Sequence, residues 1–225
     1  SGCEMDVVHK PPCRLALIFA AKAPVTLILR RGPSRRVKMI VWNTKTDQFI
    51  DGEWWHGRIY AEKCGLSPDG RLFVYFGYQW KPRYIPEGVF AFTAVSRIPS
   101  FQPVALWPAG SFWGGGGRFL TNCTVSLNYG KGALPEAHSL FREHGLQVKD
   151  KLGIYCHPAP DEGFRLDPAE HRGADWLGKD HRGKLIFTRA GILYRLLGDR
   201  EIPLRNFNTD LPPPIMESPA ILRQR

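Results

Sequence analysis

A tight turn runs straight into an apolar strand at Leu66-Ser67-Pro68-Asp69-Gly70-Arg71-Leu72-Phe73-Val74-Tyr75-Phe76, and no other stretch restricts the fold as much. Pro68 presets φ for a turn position, Asp69 can bond nearby backbone, and Gly70 accepts a positive φ. Past the turn, Leu72, Val74 and Phe76 share one face, and Phe73 and Tyr75 share the other. A strand that is apolar on both faces is expected in the middle of its sheet. This stretch indicates an architecture and carries no chemistry of its own.

The turn and strand recur weakly. Asp180-His181-Arg182-Gly183-Lys184-Leu185-Ile186-Phe187 aligns with Ser67 to Val74, and Gly117-Arg118-Phe119-Leu120 is a poorer third copy. Gly70 and Gly117 are 47 residues apart, and Gly117 and Gly183 are 66 apart. A second echo is Met39 to Ile50, a strand ending in Trp42-Asn43, a polar turn and a short second strand. Together these residues resemble the β-propeller repeats of the WD40 and WD40-like (TolB-type) families. Those repeats carry a Ser-Pro-Asp-Gly turn between their first two strands and a Trp-Asp or Trp-Asn turn between their last two. The matched residues cover about a quarter of the chain, and no copy has the Gly-His of a full WD40 repeat. The resemblance implies an all-β fold, a small β-propeller. At roughly 40–45 residues per blade the length corresponds to about five blades. The first and last strands are then expected to share a sheet. Ordinary hairpins in another all-β fold are the alternative.

Composition agrees with many short strands. Gly and Pro number 23 and 19 in 225 residues, well above the roughly 12% usual for both together. They are spread between apolar runs. With 43% apolar and 23% charged residues, residues 1–225 are read as one domain with a substantial core. Residues 211–225 form a Pro-rich tail, extended at Leu211-Pro212-Pro213-Pro214 because proline cannot continue a ladder. No apolar run reaches the length of a transmembrane helix, and the longest, Leu15 to Leu29, is interrupted by Lys22 and Pro24. Five widely spaced cysteines without a Cys-x-x-Cys read as reduced thiols in a cytoplasmic protein rather than a disulfide framework.

Four strands open the chain: Arg14 to Phe19, Val25 to Leu29, Val37 to Trp42, and one starting at Phe49-Ile50. Short turns join them into one blade-sized sheet. Val89 to Val95, Val104 to Trp107, and a final hairpin set of Ala174-Asp175-Trp176 and Leu185 to Leu196 are further strand candidates. A helical insertion is expected near 134–144, where Leu134, Ala137, Leu140 and Phe141 fall on one face and Gly145 stands at the cap position.

The formal net charge is +10, which favours anionic partners. Lys22, Arg30, Arg31, Arg35, Arg36, Lys38 and Lys45 lie within 24 residues that contain no Asp or Glu. Trp54 and Trp55 follow closely. Arginine binds carboxylate and phosphate through a two-pronged fork, and aromatics beside a basic surface suit single-stranded nucleic acid. Arg30, Arg31, Arg35, Arg36, Lys38, Trp54 and Trp55 are therefore the candidate partner-binding residues, for an acidic protein first and nucleic acid second. A solvated hairpin tip carries the same residues.

The run Ser111-Phe112-Trp113-Gly114-Gly115-Gly116-Gly117 precedes a strand, not a helix with Lys-Ser/Thr, so it lacks the context of a phosphate loop. It reads as a place where backbones approach closely, or as a pocket mouth formed by Phe112, Trp113 and Arg118. Five of seven histidines fall between His138 and His181, at spacings that match no metal-ligand motif. No metal or other cofactor is expected. The reading is a non-catalytic protein-interaction or scaffold subunit. The alternative is a glycosidase-like hydrolase with a central pocket. It would need two carboxyls about 5–10 Å apart, and Glu53, Asp69, Glu87, Asp161 and Asp175 are available without any pairing legible in the sequence.

Overall fold

The computed structural model describes residues 11–32, 35–79, 90–109, 114–129, 145–149 and 161–213. These residues are all-β, with two three-residue 3₁₀ turns, Ala61–Lys63 and Pro168–Glu170, as their helical segments. The helix expected near 134–144 lies outside the described residues, as do Phe112 and Trp113. Among the described residues, no helix is long and apolar enough to cross a membrane.

Four sheets follow one another along the chain. The first is an antiparallel meander of β1 (Arg14–Phe19), β2 (Val25–Arg31), β3 (Arg36–Asn43) and β4 (Gln48–His56). This is the four-stranded unit expected from the hydrophobic pattern. The second holds β5 (Arg58–Ile59), β6 (Gly65–Leu66), β7 (Leu72–Tyr78), β8 (Ala91–Arg97) and β9 (Pro103–Ala109). The third is small: β10 (Gly117–Phe119), β11 (Thr124–Leu127) and β12 (Gln147–Lys149), with β12 parallel to β11. The fourth is a five-stranded antiparallel meander of β13 (Arg165–Leu166), β14 (Trp176–Lys179), β15 (Leu185–Arg189), β16 (Ile192–Leu197) and β17 (Arg200–Asn206).

The period-2 alternation of the strands sorts their side chains into three cores. Ile18, Leu27, Leu29 and Met39 leave one face of the first sheet and meet Phe73, Tyr75 and Phe92 of the second. Leu17, Phe19, Ile28, Ile40 and Trp42 leave its other face and meet Trp176, Ile186 and Leu193 of the fourth, with Phe207. Val74 and Val95, on the far face of the second sheet, meet Val125 and Leu127 of the third. Strand β7 thus feeds two cores from its two faces and sits between β6 or β5 and β8. That is the placement its two-sided apolar pattern called for.

Two turns share one geometry. At Ser67–Gly70 the Ser67 hydroxyl accepts from the N–H of Arg71 and Leu72, and Gly70 N–H donates to Ser67 O. At Asp180–Gly183 the Asp180 carboxylate accepts from Arg182 and Lys184 N–H, and Gly183 N–H donates to Asp180 O. Gly70 and Gly183 have φ of +73° and +71°, which glycine adopts without a Cβ penalty. The third copy is corrected: Gly117 lies inside β10, paired with Leu127, and forms no such turn.

The expectation that the first and last strands share a sheet is also corrected. Among the described residues β1 pairs only with β2 and β17 only with β16. The two sheets meet face to face instead, because both carry an apolar face to cover. A polar clasp fixes that contact at the β3–β4 turn. Arg195 binds Asp47 through two bonds of 2.7 and 2.8 Å and reaches Asp180 at 3.0 Å. His181 donates from Nε2 to the Ala20 carbonyl at 2.8 Å, and its Nδ1 pairs with the Thr44 hydroxyl at 2.9 Å.

Candidate functional site

The opposite end of the first sheet carries a cleft of about 600 Å³ lined by Arg14, Arg31, Gly32, Arg35, Arg36, Val37, Gly57, Arg58, Ile59, Tyr60 and Glu62. Strand register assembles it. Arg14 opens β1 directly opposite Arg31 at the end of β2, and Arg31 stands opposite Val37 at the start of β3. The β2–β3 connection is tied to the crossing from the first sheet to the second, where Gly57 N–H donates to Arg35 O at 2.9 Å. That crossing is tight. A Cβ on Gly57 would stand 2.4 Å from the Tyr78 carbonyl and 2.7 Å from the Trp55 indole nitrogen. Glycine there brings Arg58 and Tyr60 to the guanidinium cluster. Beneath Tyr60, the buried Cys64 thiol donates to its carbonyl at 3.2 Å. Burial drives the pKa of that thiol far upward, so it stays protonated at neutral pH.

The charge balance is unusual. Five guanidinium groups line the cleft against one carboxylate, Glu62. Among the described residues Arg14, Arg31, Arg35 and Arg58 make no ion pair and no side-chain hydrogen bond, and the buried Nε of Arg31 has no partner. Like charges directly opposite on paired strands are destabilising, and Arg14 and Arg31 are such a pair. Four arginines elsewhere, Arg182, Arg189, Arg195 and Arg205, bind carboxylates, whereas Arg118, Arg172 and Arg200 share the cleft group's lack of an ion pair among the described residues; what sets the cleft apart is that its guanidinium groups converge. Arg36 is intermediate, donating to the Pro213 carbonyl.

The basic segment read from the sequence therefore divides. Arg31, Arg35 and Arg36 line the cleft. Arg30 does not belong to an exposed tip: it is only 4% exposed and donates to the carbonyls of Phe207, at 3.2 Å, and Gly32. Lys38 is buried and bridges Asp51 and Asp210, each at 3.2 Å. Their positions on β2 and β3 point into the strip covered by the C-terminal segment. The tryptophans are corrected too. Trp54 lies under Arg30 and Lys38, at 5.4 and 6.0 Å from its ring centre. Trp55 packs edge-on against Tyr75 and Phe92 in the core. Both rings are half-buried.

Of the second candidate group, Arg118 is described. It is half-buried in β10 opposite Ser126, away from the cleft, with a buried Nε that has no partner. The glycine run beside it is a close crossing, as expected. A Cβ at Gly115 would fall 2.3 Å from the Phe76 ring, and one at Gly116 would fall 2.2 Å from Lys63 O. Among the described residues no three His, Cys, Asp or Glu side chains gather as metal ligands would. His171 pairs with Glu201 and His181 with Ala20 and Thr44.

Arg14, Arg58 and Tyr60 escaped the sequence reading. Arg14 had a signal, since a β1–β2 hairpin turning at residues 20–24 brings it level with Arg31. Arg58 and Tyr60 had none, because their approach depends on the crossing at Gly57. Comparisons with protein-family models, with curated proteins and with solved structures find no match to this chain.

Proposed function

We propose that the protein is a non-catalytic, intracellular binding subunit that holds an anionic ligand in the arginine cleft. The observation that carries this reading is the convergence of four arginines without counterions on one concavity. Mutual repulsion of these groups costs free energy that a bound anion recovers. The volume of about 600 Å³ lies within the roughly 300–1,000 Å³ of ordinary binding clefts. Of the macromolecular anions considered, nucleic acid is disfavoured, since Trp55 packs against core aromatics and Trp54 already has Arg30 and Lys38 over its ring. A glycosidase-like hydrolase is disfavoured by a lining with Glu62 as its single carboxylate, since that chemistry takes two.

The scaffold belongs to the same proposal. Sheets made of consecutive strands, with the first packed on the second, the second on the third and the fourth back on the first, support a propeller-type ring. The described residues supply four sheets toward the five blades expected from length. Exposed Ile50 and Ile202 on the outer strands β4 and β17, with exposed Leu197 at the end of β16, suit contact with a protein partner. Free thiols at Cys13, Cys64 and Cys123 suit a reducing, cytoplasmic compartment.

The test is a panel of anions, oligoglutamate, a single-stranded oligonucleotide and tripolyphosphate, titrated into wild type and into a variant with Arg14, Arg31, Arg35 and Arg58 all changed to Glu. At least one anion is expected to bind wild type, with an affinity that falls as salt rises, and to lose that binding in the variant at unchanged Tm. Wild type binding none of them, or the variant binding as tightly as wild type, refutes the reading.

A further inference from the structure

Resting on the reading of the cleft as an anion site, we propose that its ligand is a compact polyphosphate, one carrying at least two phosphate groups close together. The lining holds five guanidinium groups and one carboxylate, a formal charge of +4. A phosphate monoester carries about −1.5 to −2 at neutral pH, so two or three phosphates match that charge. Carboxylates carry one charge each, so four would have to enter together.

Space decides between them. The cube root of the 600 Å³ volume is about 8 Å. Side chains on one face of an extended peptide recur about every 7 Å. An acidic segment laid into the cleft therefore presents about two carboxylates and leaves half the positive charge unmatched. A single nucleic-acid strand likewise brings one charge per nucleotide, and it is normally held by a continuous groove with stacked aromatics. Adjoining phosphates concentrate charge within the available volume.

The donors also fit. Each guanidinium presents a planar fork that engages two phosphate oxygens at once. The forks come from different elements: Arg14 from β1, Arg31 from β2, Arg35 from the β2–β3 connection, Arg36 from the start of β3, and Arg58 from β5. Convergence from several elements gives a compact anion donors from more than one side, whereas one strand alone would present a single row. The other end of the sheet shows what these arginines lack: there Asp47 and Asp180 neutralise Arg182 and Arg195.

Two sources offer this chemistry, a free polyphosphate or a polyphosphorylated lipid headgroup. Isothermal titration with pyrophosphate and tripolyphosphate, beside citrate as a tricarboxylate of similar charge, tests the shared chemistry. Tripolyphosphate is expected to bind one-to-one and at least about tenfold more tightly than citrate. The double variant Arg14→Gln/Arg58→Gln is expected to weaken it at least about tenfold at unchanged Tm. The single variant Arg35→Gln, on an exposed loop, gives an independent loss. Flotation with phosphatidylcholine vesicles, with and without phosphatidylinositol bisphosphate, separates the sources. Binding only to the phosphorylated vesicles, displaced by tripolyphosphate, assigns a headgroup; binding to free tripolyphosphate alone assigns a soluble ligand. Citrate or oligoglutamate binding as tightly as tripolyphosphate overturns the polyphosphate assignment and leaves the anion site standing. An oligonucleotide binding more tightly than tripolyphosphate overturns it in favour of nucleic acid. No binding by any anion removes both.

Discussion

Arg30 and Arg35 stand five positions apart and do opposite things. Arg30 is buried, covers Trp54, and satisfies the Phe207 carbonyl. Arg35 is exposed and binds no carboxylate among the described residues. Removing a buried donor strands its acceptor at a cost of about 1–3 kcal/mol, whereas exposed side chains change stability by about 0.5 kcal/mol or less. Urea denaturation of Arg30→Ala should thus show a loss of about 2 kcal/mol, and Arg35→Ala almost none. Equal effects would show that Arg30 is as solvated as its neighbour. This difference was invisible in the sequence, where both are arginines in one basic run. Burial by a segment 177 residues away separates them.

The β3–β4 turn illustrates how one element can be half legible. Its Trp42-Asn43 start was readable, and the Asn43 side chain does accept from Lys45 and Thr46 N–H. Its last residue, Asp47, at φ +59°, turned out to be the anchor for Arg195 and Arg182 of the fourth sheet. Hydrogen bonding from Arg195, reinforced by the charges of Arg195 and Arg182, holds the Asp47 carboxyl below its ordinary 3.8 against the opposing effect of burial. As pH falls, the unfolded chain takes up that proton first, so unfolding becomes easier. The contribution of Asp47 is complete above 3.8 and is lost as pH drops through the lower value of the folded state. Because Asp47 is partly exposed, salt should reduce the effect. Thermal melts across the acid range should show a shallower loss for Asp47→Asn than for wild type. Superimposable pH slopes would remove Asp47 from the clasp.

Across the molecule, the contact between the first and fourth sheets joins the beginning and the end of the chain. Phe207 is fully buried there, packed with Ile28 and Ile40, edge-on to Phe49 and beneath the Arg205 guanidinium. Truncating a buried Phe to Ala typically costs about 3–5 kcal/mol. Because the first sheet shares cores with both the second and the fourth, Phe207→Ala should lower the temperature of a single cooperative transition in scanning calorimetry. A separate early transition, with the main one unmoved, would mean that the fourth sheet melts alone.

What the chain declares locally came through. Alternating apolar residues placed β1 to β3 and the two-faced β7, and a polar residue followed three positions later by glycine marked both turns at Ser67 and Asp180. These signals rest on interactions within a few residues, so neighbours in sequence suffice to reveal them. The cleft was only partly declared: Arg31, Arg35 and Arg36 were visible as charge, while Arg14 had a signal in the hairpin register that went unread. Which arginines lack counterions, and which tryptophans are covered, depends on partners brought from distant segments. Long-range packing places Asp51 and Asp210 beside Lys38, puts Phe207 over Arg30, and carries Arg58 through the tight crossing at Gly57 to the open end of the first sheet. Charge is a property of the residue, but whether that charge is neutralised is decided by the folded chain around it.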